Sequence, residues 1–384
     1  MKLLLIIIVA ALCLAAFQTY NSPVLVLQKN EKDSTASPKI QVAILLDVSN
    51  SMDGLIDQAK AQLWNMVNTV GKAKCGDKVP EVEIALYEYG RTTNNPLQGY
   101  VKQVSPFTKD LDQLSEYLFQ LKTDGGDEYC SHVIYSSLKQ LNWDTAASTY
   151  KVIFIAGNED FNQGAITWTA ACQEARKKGV IVNTIYCGDK QTGLNEHWNL
   201  AGDCGNGSFT NINQDAKAED INTPYDSALF ALNGKLNGTY ISYGYQGEAK
   251  AIKQDEMDKA NFSVSKEVMA KRISVKGKTS LYKNEQWDLV DASVADSTVL
   301  EKIELKTLPP ALKDKSRTEI KKIVQEKTRD RSNVQKEIAH LSTEREKYIL
   351  TARKAKAGKA EVTLESEIER ILKQQVRLFN MVIE

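Results

Sequence analysis

The sequence is poor in the residues and motifs that most enzymes use. Its 384 residues include only three histidines, His132, His197 and His340. It contains no His-Glu-x-x-His zinc motif, no Gly-x-Ser-x-Gly nucleophile motif and no glycine-rich phosphate loop. Its 49 basic and 49 acidic residues cancel, so net charge indicates no nucleic-acid partner. These absences favour a non-enzymatic recognition protein.

Cysteine is also scarce, and no spacing between cysteines resembles a zinc site. Beyond the first 20 residues the chain carries Cys75, Cys130, Cys172, Cys187 and Cys204. An odd number leaves at least one thiol free. Cys187 follows a predicted strand and Cys204 lies in a glycine-rich loop soon after it, so this pair is the first candidate disulfide. Cys172 falls within a helical pattern, where a small buried thiol is as plausible.

The first residues have the layout of an export signal. Lys2 precedes an apolar run from Leu3 to Phe17, which is shorter than the ~20 residues of a transmembrane helix. We therefore assign residues 1–20 to a signal peptide or an uncleaved membrane anchor, and residues 21–38 to a linker. The sequence predicts an exported protein of the periplasm or cell envelope.

Strand and helix patterns alternate between residues 39 and 214. Predicted strands cover residues 40–47, 82–89, 100–107, 152–156, 180–186 and 208–212, and predicted helices cover 55–70, 111–121, 132–141 and 166–178. This alternation predicts an α/β fold with a doubly wound, mostly parallel sheet. Ligands of such sheets lie at the carboxyl ends of the strands.

The sequence pattern changes after residue 214. Residues 215–310 read as a mixed, mostly helical extension. Residues 311–384 read as a charged helical hairpin or coiled-coil-like tail that a Ser316-x-x-Glu319 capping box opens. Lys327, Arg331 and Arg345 interrupt its apolar seam. Two antiparallel helices packed on each other or on the domain therefore fit better than a dimeric coiled coil. The oligomeric state stays open.

The most informative motif is Asp47-Val-Ser49-Asn-Ser51, which ends the first predicted strand. One carboxylate and two small hydroxyls suit a hard cation such as Mg²⁺ that keeps several waters. The same residues could instead form a helix N-cap cluster, and capping does not exclude metal binding.

This motif resembles the first loop of the metal-ion-dependent adhesion site of von Willebrand factor type A (VWA) domains. Residues 40 to about 214 are similar to a bacterial, exported branch of that family, whose members also carry helical extensions. The family's second loop normally supplies a threonine after a Gly-Gly pair, and this chain has Gly125-Gly126-Asp127. The resemblance therefore implies the ligands Asp47, Ser49, Ser51 and Asp127, with Thr123 as a rival.

The third loop departs from the family pattern. The family has an aspartate where this chain has Gly157. A gained Asp127 would keep two carboxylates at the site. Glu159 or Asp160 could also supply a ligand, or the site could be degenerate and bind no metal.

The resemblance implies a function. A bound Mg²⁺, or Mn²⁺ or Ca²⁺, would complete its coordination with an acidic side chain from a protein partner. The alternatives are a scaffold with a degenerate metal site, and a cell-envelope hydrolase or chaperone-like accessory that uses the region of Cys130 and His132.

Overall fold

The centre of the structure is a six-stranded sheet. The structure, a computed structural model, describes residues 37–213, 220–355 and 364–383. Its strands are β1 (Lys39–Asp47), β2 (Ala73–Lys74), β3 (Glu81–Tyr89), β4 (Lys102–Thr108), β5 (Tyr150–Gly157), β6 (Ile181–Cys187), β7 (Phe209–Ile212) and β8 (Val382–Ile383). The large sheet has the order β4-β3-β1-β5-β6-β7, and every pair is parallel except the edge pair β3-β4. The predicted mostly parallel sheet is confirmed.

Helices cover both faces of this sheet. Those between the strands are α1 (Asp53–Val70), α2 (Leu111–Gln120), α3 (Cys130–Gln140), α4 (Trp168–Lys178), α5 (Lys190–Asn195) and α6 (Trp198–Cys204). Alternate residues of β1 enter two separate cores, with Val42 and Leu46 on one face and Ala43 and Leu45 on the other. Burial on both faces explains why β1 reads as a nearly continuous apolar run.

Helix α1 is buried on two sides. Leu55, Leu63 and Val67, on the face that the sequence pattern predicts, pack in the core against the sheet. On its other side Trp64 is also fully buried, and its indole N–H donates to Asn261 Oδ1 over 2.6 Å. This helix therefore connects the sheet to the helices that follow it in the chain.

Most of the chain after residue 220 is helical. The helices are α7 (Asp226–Asn237), α8 (Gly247–Val264), α9 (Lys266–Lys276), α10 (Leu289–Ala295), α11 (Val299–Lys302), α12 (Pro310–Lys313), α13 (Arg317–Ala355) and α14 (Leu364–Gln375). Three short 3₁₀ turns complete the described structure, at Pro96–Gln98, Leu305–Thr307 and Val376–Phe379.

Two of the charged residues that interrupt the apolar seam of α13 form buried ion pairs with earlier helices. Arg331 is buried and pairs with Asp288 at 2.6 Å and Asp291 at 2.5 Å. Arg345 is buried and pairs with Asp226 at 2.8 Å. These ion pairs tie α13 to the helices before it, which accounts for arginine at positions where a coiled coil would need apolar side chains.

The last described segment returns to the sheet. Leu364, Ile371 and Leu372 of α14 lie in the same core as β1 and α1. The side-chain amide of Gln375 accepts a hydrogen bond from Tyr150 Oη at 2.7 Å and donates one to Asn183 Oδ1 at 2.7 Å. Strand β8 then pairs antiparallel with β2. One face of the sheet is thus covered by residues from opposite ends of the described chain.

The predicted Cys187–Cys204 disulfide is wrong. Cys204 bonds to Cys172 instead, and their Cα atoms are 5.7 Å apart, within the usual range for a disulfide. Cys187 lies in the core on the α1 face of the sheet, whereas the neighbours of Cys204 in α6, such as Ala201, pack on the opposite face. The sheet therefore separates Cys187 from Cys204.

The predicted signal peptide or anchor lies outside the described residues. Among the described residues, no helix is both long and apolar enough to span a membrane.

Candidate metal centre

The Asp47 motif lies at the carboxyl edge of the sheet, where the strand order reverses. The chain proceeds from β1 to β3 on one side and later to β5 on the other. Asp47 lies opposite Tyr89 of β3, and Leu46 lies opposite Ala156 of β5. Ligands bind at such switch points in open α/β sheets, because the loops diverge there and leave a crevice.

The first loop folds around the Asp47 carboxylate. Asp47 is fully buried, and its Oδ1 accepts a hydrogen bond from the Ser49 backbone N–H at 2.8 Å. The Ser49 and Ser51 hydroxyl oxygens lie 3.3 Å apart, and Asn158 Nδ2 donates to Ser51 Oγ at 3.2 Å. Neither serine caps α1, because Met52 occupies its N-cap and makes no side-chain capping bond.

Glu128 supplies the second buried carboxyl group of the site. It lies in hydrogen-bonding contact with Asp47, and the two groups shift each other's pKa. Burial raises the pKa of Asp47 to about 6. Burial and the nearby charge of Asp47 raise the pKa of Glu128 to about 9. The pair therefore holds one proton at neutral pH, since two adjacent buried carboxylates repel each other.

The predicted second-loop ligands Asp127 and Thr123 bond to groups other than Asp47. Asp127 is exposed, and its Oδ2 accepts a hydrogen bond from Tyr129 Oη at 3.0 Å. The Thr123 hydroxyl donates to Asp53 Oδ1 at 2.5 Å. The structure thus brings Asp47, Ser49 and Ser51 together and adds Glu128, which the sequence reasoning missed. Two adjacent acidic residues in one glycine-containing loop carry no signal that tells which of them points inward.

Close packing explains the glycine in the third loop. A Cβ atom at Gly157 would lie 2.4 Å from Tyr89 Oη and 3.0 Å from Asp47 Oδ2. The Tyr89 hydroxyl donates to the Ala156 carbonyl at 3.0 Å, which fixes the phenol ring beneath the loop. An aspartate cannot replace Gly157 while Tyr89 holds this position.

The two acidic alternatives in the third loop differ in their relation to Asp47. Glu159 is exposed, yet its charge contributes to the raised pKa of both Asp47 and Glu128. Asp160 Oδ1 lies 3.2 Å from His197 Nδ1 and also accepts a hydrogen bond from the Asn162 backbone N–H at 2.9 Å. Glu159 is therefore the acidic residue of this loop whose charge reaches the site.

Comparison with known proteins gives alignments to solved structures only. Neither a protein-family model nor a curated protein sequence matches the chain. Solved structures that align with it include an aerotolerance-related membrane protein from Bacteroides fragilis, with 16% identity over 46% of this chain and 93% of that chain, at a TM-score of 0.32. A von Willebrand factor type A protein from Catenulispora acidiphila aligns with 16% identity over 46% and 39%, at 0.33.

A third alignment is to proximal thread matrix protein 1 of the mussel byssus, whose MIDAS motif is described as zinc-occupied. It has 13% identity over 46% of this chain and 42% of that chain, at a TM-score of 0.32. The topology of this chain decides the fold: an antiparallel strand at one edge, and Asp-x-Ser-x-Ser at the carboxyl end of the central parallel strand. The sheet and its helices have the doubly wound, mostly parallel arrangement that the resemblance to VWA domains predicts.

The residues around Asp47 suit a bound cation. Asp47 Oδ2 and Glu128 Oε2 are buried, and neither accepts a hydrogen bond from a group outside this carboxyl pair. Among the described residues, no lysine, arginine or histidine forms an ion pair with either carboxyl group. A buried pair of this kind needs a proton or a metal ion to balance its charge.

Few side chains could ligate a metal ion at this site. In residues 37–213, 220–355 and 364–383, no three His, Cys, Asp or Glu side chains converge on one point. An ion at this VWA site would be held by the two carboxylates of Asp47 and Glu128 and the hydroxyls of Ser49 and Ser51. Oxygen ligands alone suit hard cations.

Cys130 does not have the environment of a nucleophile. It is buried, and its thiol contacts Tyr89 Oη at 3.6 Å. Burial raises the pKa of Cys130 well above its usual value, so the thiolate form is disfavoured. Burial lowers the pKa of His132. Reactive cysteines have lowered pKa values and accessible sulfur atoms, and Cys130 has neither.

Proposed function

We propose that this protein binds a partner protein through a divalent cation held at the carboxyl edge of the VWA sheet, and that it does so without catalysing a reaction. The observation that carries the proposal is the buried carboxyl pair of Asp47 and Glu128, in which Asp47 Oδ2 and Glu128 Oε2 accept no hydrogen bond from a group outside the pair. Buried polar atoms are normally paired, and exceptions mark strain or a missing ion.

Mg²⁺ is the cation that the ligands favour, with Mn²⁺ and Ca²⁺ as close alternatives. Two carboxylates balance the charge of a dication, and two serine hydroxyls leave positions for water. When bound, the ion supplies a Lewis-acidic position that an acidic side chain of a partner can occupy in place of a water. In this proposal Glu128 takes the role that the resemblance implies for Asp127.

The shape of the site supports recognition at the surface. Asp47 lies at the bottom of the site with no exposed surface, whereas Asn50 and Ser51 are exposed. A carboxylate of a partner would approach from the side of these exposed residues. No large cavity is needed for such a contact, since one side chain completes the coordination.

An exported setting in the periplasm or cell envelope is part of the proposal. The Cys172–Cys204 disulfide fits an oxidising compartment, because reducing conditions in the cytosol keep thiols free. The apolar run from Leu3 to Phe17 supplies the export signal or a membrane anchor.

Binding of acidic peptides tests this function. A library of short peptides that contain Asp or Glu is displayed on beads and incubated with the protein in Mg²⁺ or in excess EDTA. We expect selected peptides to bind only in Mg²⁺, and Asp47→Ala to abolish that binding. Asp127→Ala is the matched control and should retain it. Peptide binding that persists in EDTA would overturn the metal-dependent function, and absence of metal binding would instead indicate a degenerate VWA scaffold.

A further inference from the structure

A cleft of about 310 Å³ lies between α1, α9, α13 and α14. It shares no lining residue with the metal centre. Its volume is at the lower end of the range for small-molecule sites.

The cleft has a buried floor and an accessible rim. Arg345 of α13 and Glu267 of α9 are 4% and 5% exposed. The side chains of Glu346 and Arg353 at the rim are 45% and 46% exposed. A small solute can therefore enter at the rim, and the charged groups of the floor are shielded from water.

Most of the charged groups around the cleft are already paired with each other. Lys72 pairs with Glu346 at 2.9 Å, and Lys271 pairs with Glu365 at 2.6 Å. Lys373 pairs with Glu369 within α14 at 2.6 Å. These pairs shape the walls and need no ligand for charge balance.

Three buried polar atoms in the cleft have no partner: Arg345 Nη2, Ser342 Oγ and Glu267 Oε2. The other ends of the two charged groups are fixed. Arg345 Nε donates to Asp226 Oδ1 at 2.8 Å. Glu267 Oε1 lies 3.1 Å from Lys271 Nζ and 3.5 Å from Arg353 Nη2. The cleft thus offers a guanidinium donor, a hydroxyl and a carboxylate acceptor at the same time, and each costs free energy while it lacks a partner.

We propose that this cleft is a binding site for a small zwitterion with one carboxylate and one ammonium group, the chemistry of a free α-amino acid. Arg345 and Ser342, one helical turn apart on α13, donate to the carboxylate. Glu267 accepts from the ammonium group. Ile349 and Leu350, which also line the cleft, provide an apolar wall for a side chain. A simple anion would satisfy Arg345 and leave Glu267 Oε2 without a hydrogen-bond partner.

Calorimetry with free amino acids tests the proposal on the full chain. The probes are glycine, alanine, leucine and glutamate, with acetate and methylammonium as single-charge controls. We expect an amino acid to bind, and the single-charge probes to bind at least about tenfold more weakly, because each lacks one charge-assisted contact. Glu267→Gln and Ser342→Ala should both weaken amino-acid binding, the former by about tenfold or more. Glu301→Gln, at an exposed position away from the cleft, is the matched control.

Each outcome decides the question, provided that circular dichroism shows the variants to be folded. Loss of amino-acid binding in Glu267→Gln with normal binding in Glu301→Gln supports the site. Equal binding of acetate and amino acids, unaffected by Glu267→Gln, would overturn it in favour of a simple anion site. Absence of binding by every probe at millimolar concentration would overturn it in favour of a cleft filled by water.

Discussion

The side chains of Asp47 and Glu128 are buried next to each other. Without a cation, only one of the two carboxyl groups is ionised at neutral pH. Burial raises the pKa of both groups, and the charge of Asp47 adds to the shift of Glu128. Folding without metal therefore traps a proton on the pair. A cation would release that proton, because it balances both carboxylates.

The trapped proton predicts a pH dependence of stability in EDTA. Both folded-state pKa values exceed their unfolded values, so the folded state binds more protons than the unfolded state from about pH 4 up to about pH 9. The contribution of the pair to the free energy of unfolding is therefore greatest at the acid end of this window and falls as pH rises. Urea titrations at several pH values measure this contribution.

Glu128→Gln should remove most of the pH dependence of the free energy of unfolding in this window. Asp127→Asn should leave that pH dependence unchanged. The difference in slope between the two variants should amount to at least about 1 kcal/mol over the window, since one pKa unit corresponds to ~1.4 kcal/mol. Equal slopes in the wild type and Glu128→Gln would show that Glu128 is not protonated in the folded state.

Gln375 links helix α14 to two strands of the large sheet. It lies at the end of α14, and its buried amide group bonds to Tyr150 of β5 and Asn183 of β6. Gln375→Ala should lower the free energy of unfolding by about 1–3 kcal/mol, because it leaves the polar groups of Tyr150 and Asn183 buried without partners. Thermal unfolding measures the loss.

Gln374→Ala is the matched control for this prediction. Gln374 is the exposed neighbour of Gln375, and its side chain accepts a hydrogen bond from Arg370 within α14. Exposed contacts of this type contribute little, so its melting temperature should remain close to that of the wild type. Equal losses in both variants would mean that α14 is not anchored through Gln375.

The elements show which parts of the fold local sequence can predict. The apolar run of β1 and the helical spacing of Leu55, Ala59 and Leu63 in α1 are local patterns, and both are confirmed. The return of α14 to the sheet depends on contacts across more than 150 residues, such as Gln375 with Asn183. No local pattern records a contact of that range.

The candidate site shows the same division. The spacing of Asp47, Ser49 and Ser51 at a strand end was sufficient to place all three in one loop. The choice between Asp127 and Glu128 depends on which side chain turns towards Asp47, and that follows from the backbone path through Gly126. A Cβ atom at Gly126 would lie 2.6 Å from the Gly90 carbonyl oxygen, so the two loops pack without side chains between them.

The reactivity of the cysteines tests the overall arrangement of the helices around the sheet. Cys75 is partly exposed, whereas Cys130 and Cys187 are buried. Among the cysteines of the described residues, alkylation of the native protein should modify Cys75 first and spare the other two free thiols until the protein unfolds. Peptide mapping without reduction should find Cys172 linked to Cys204.

Reduction of this disulfide should lower the free energy of unfolding by about 3–4 kcal/mol, given its sequence separation of 32 residues. A linked Cys187–Cys204 peptide in the map, or rapid native labelling of Cys187, would contradict the observed arrangement of helices around the sheet.

The measurement that tests the central claim most directly is calorimetric titration of Mg²⁺ into the protein at neutral pH. The wild type, Asp47→Asn, Glu128→Gln and Asp127→Asn are compared. We predict that the wild type and Asp127→Asn bind one ion, and that Asp47→Asn and Glu128→Gln do not. Loss of binding in Asp127→Asn with retention in Glu128→Gln, or no binding by the wild type to Mg²⁺, Mn²⁺ or Ca²⁺, would contradict the proposed metal centre.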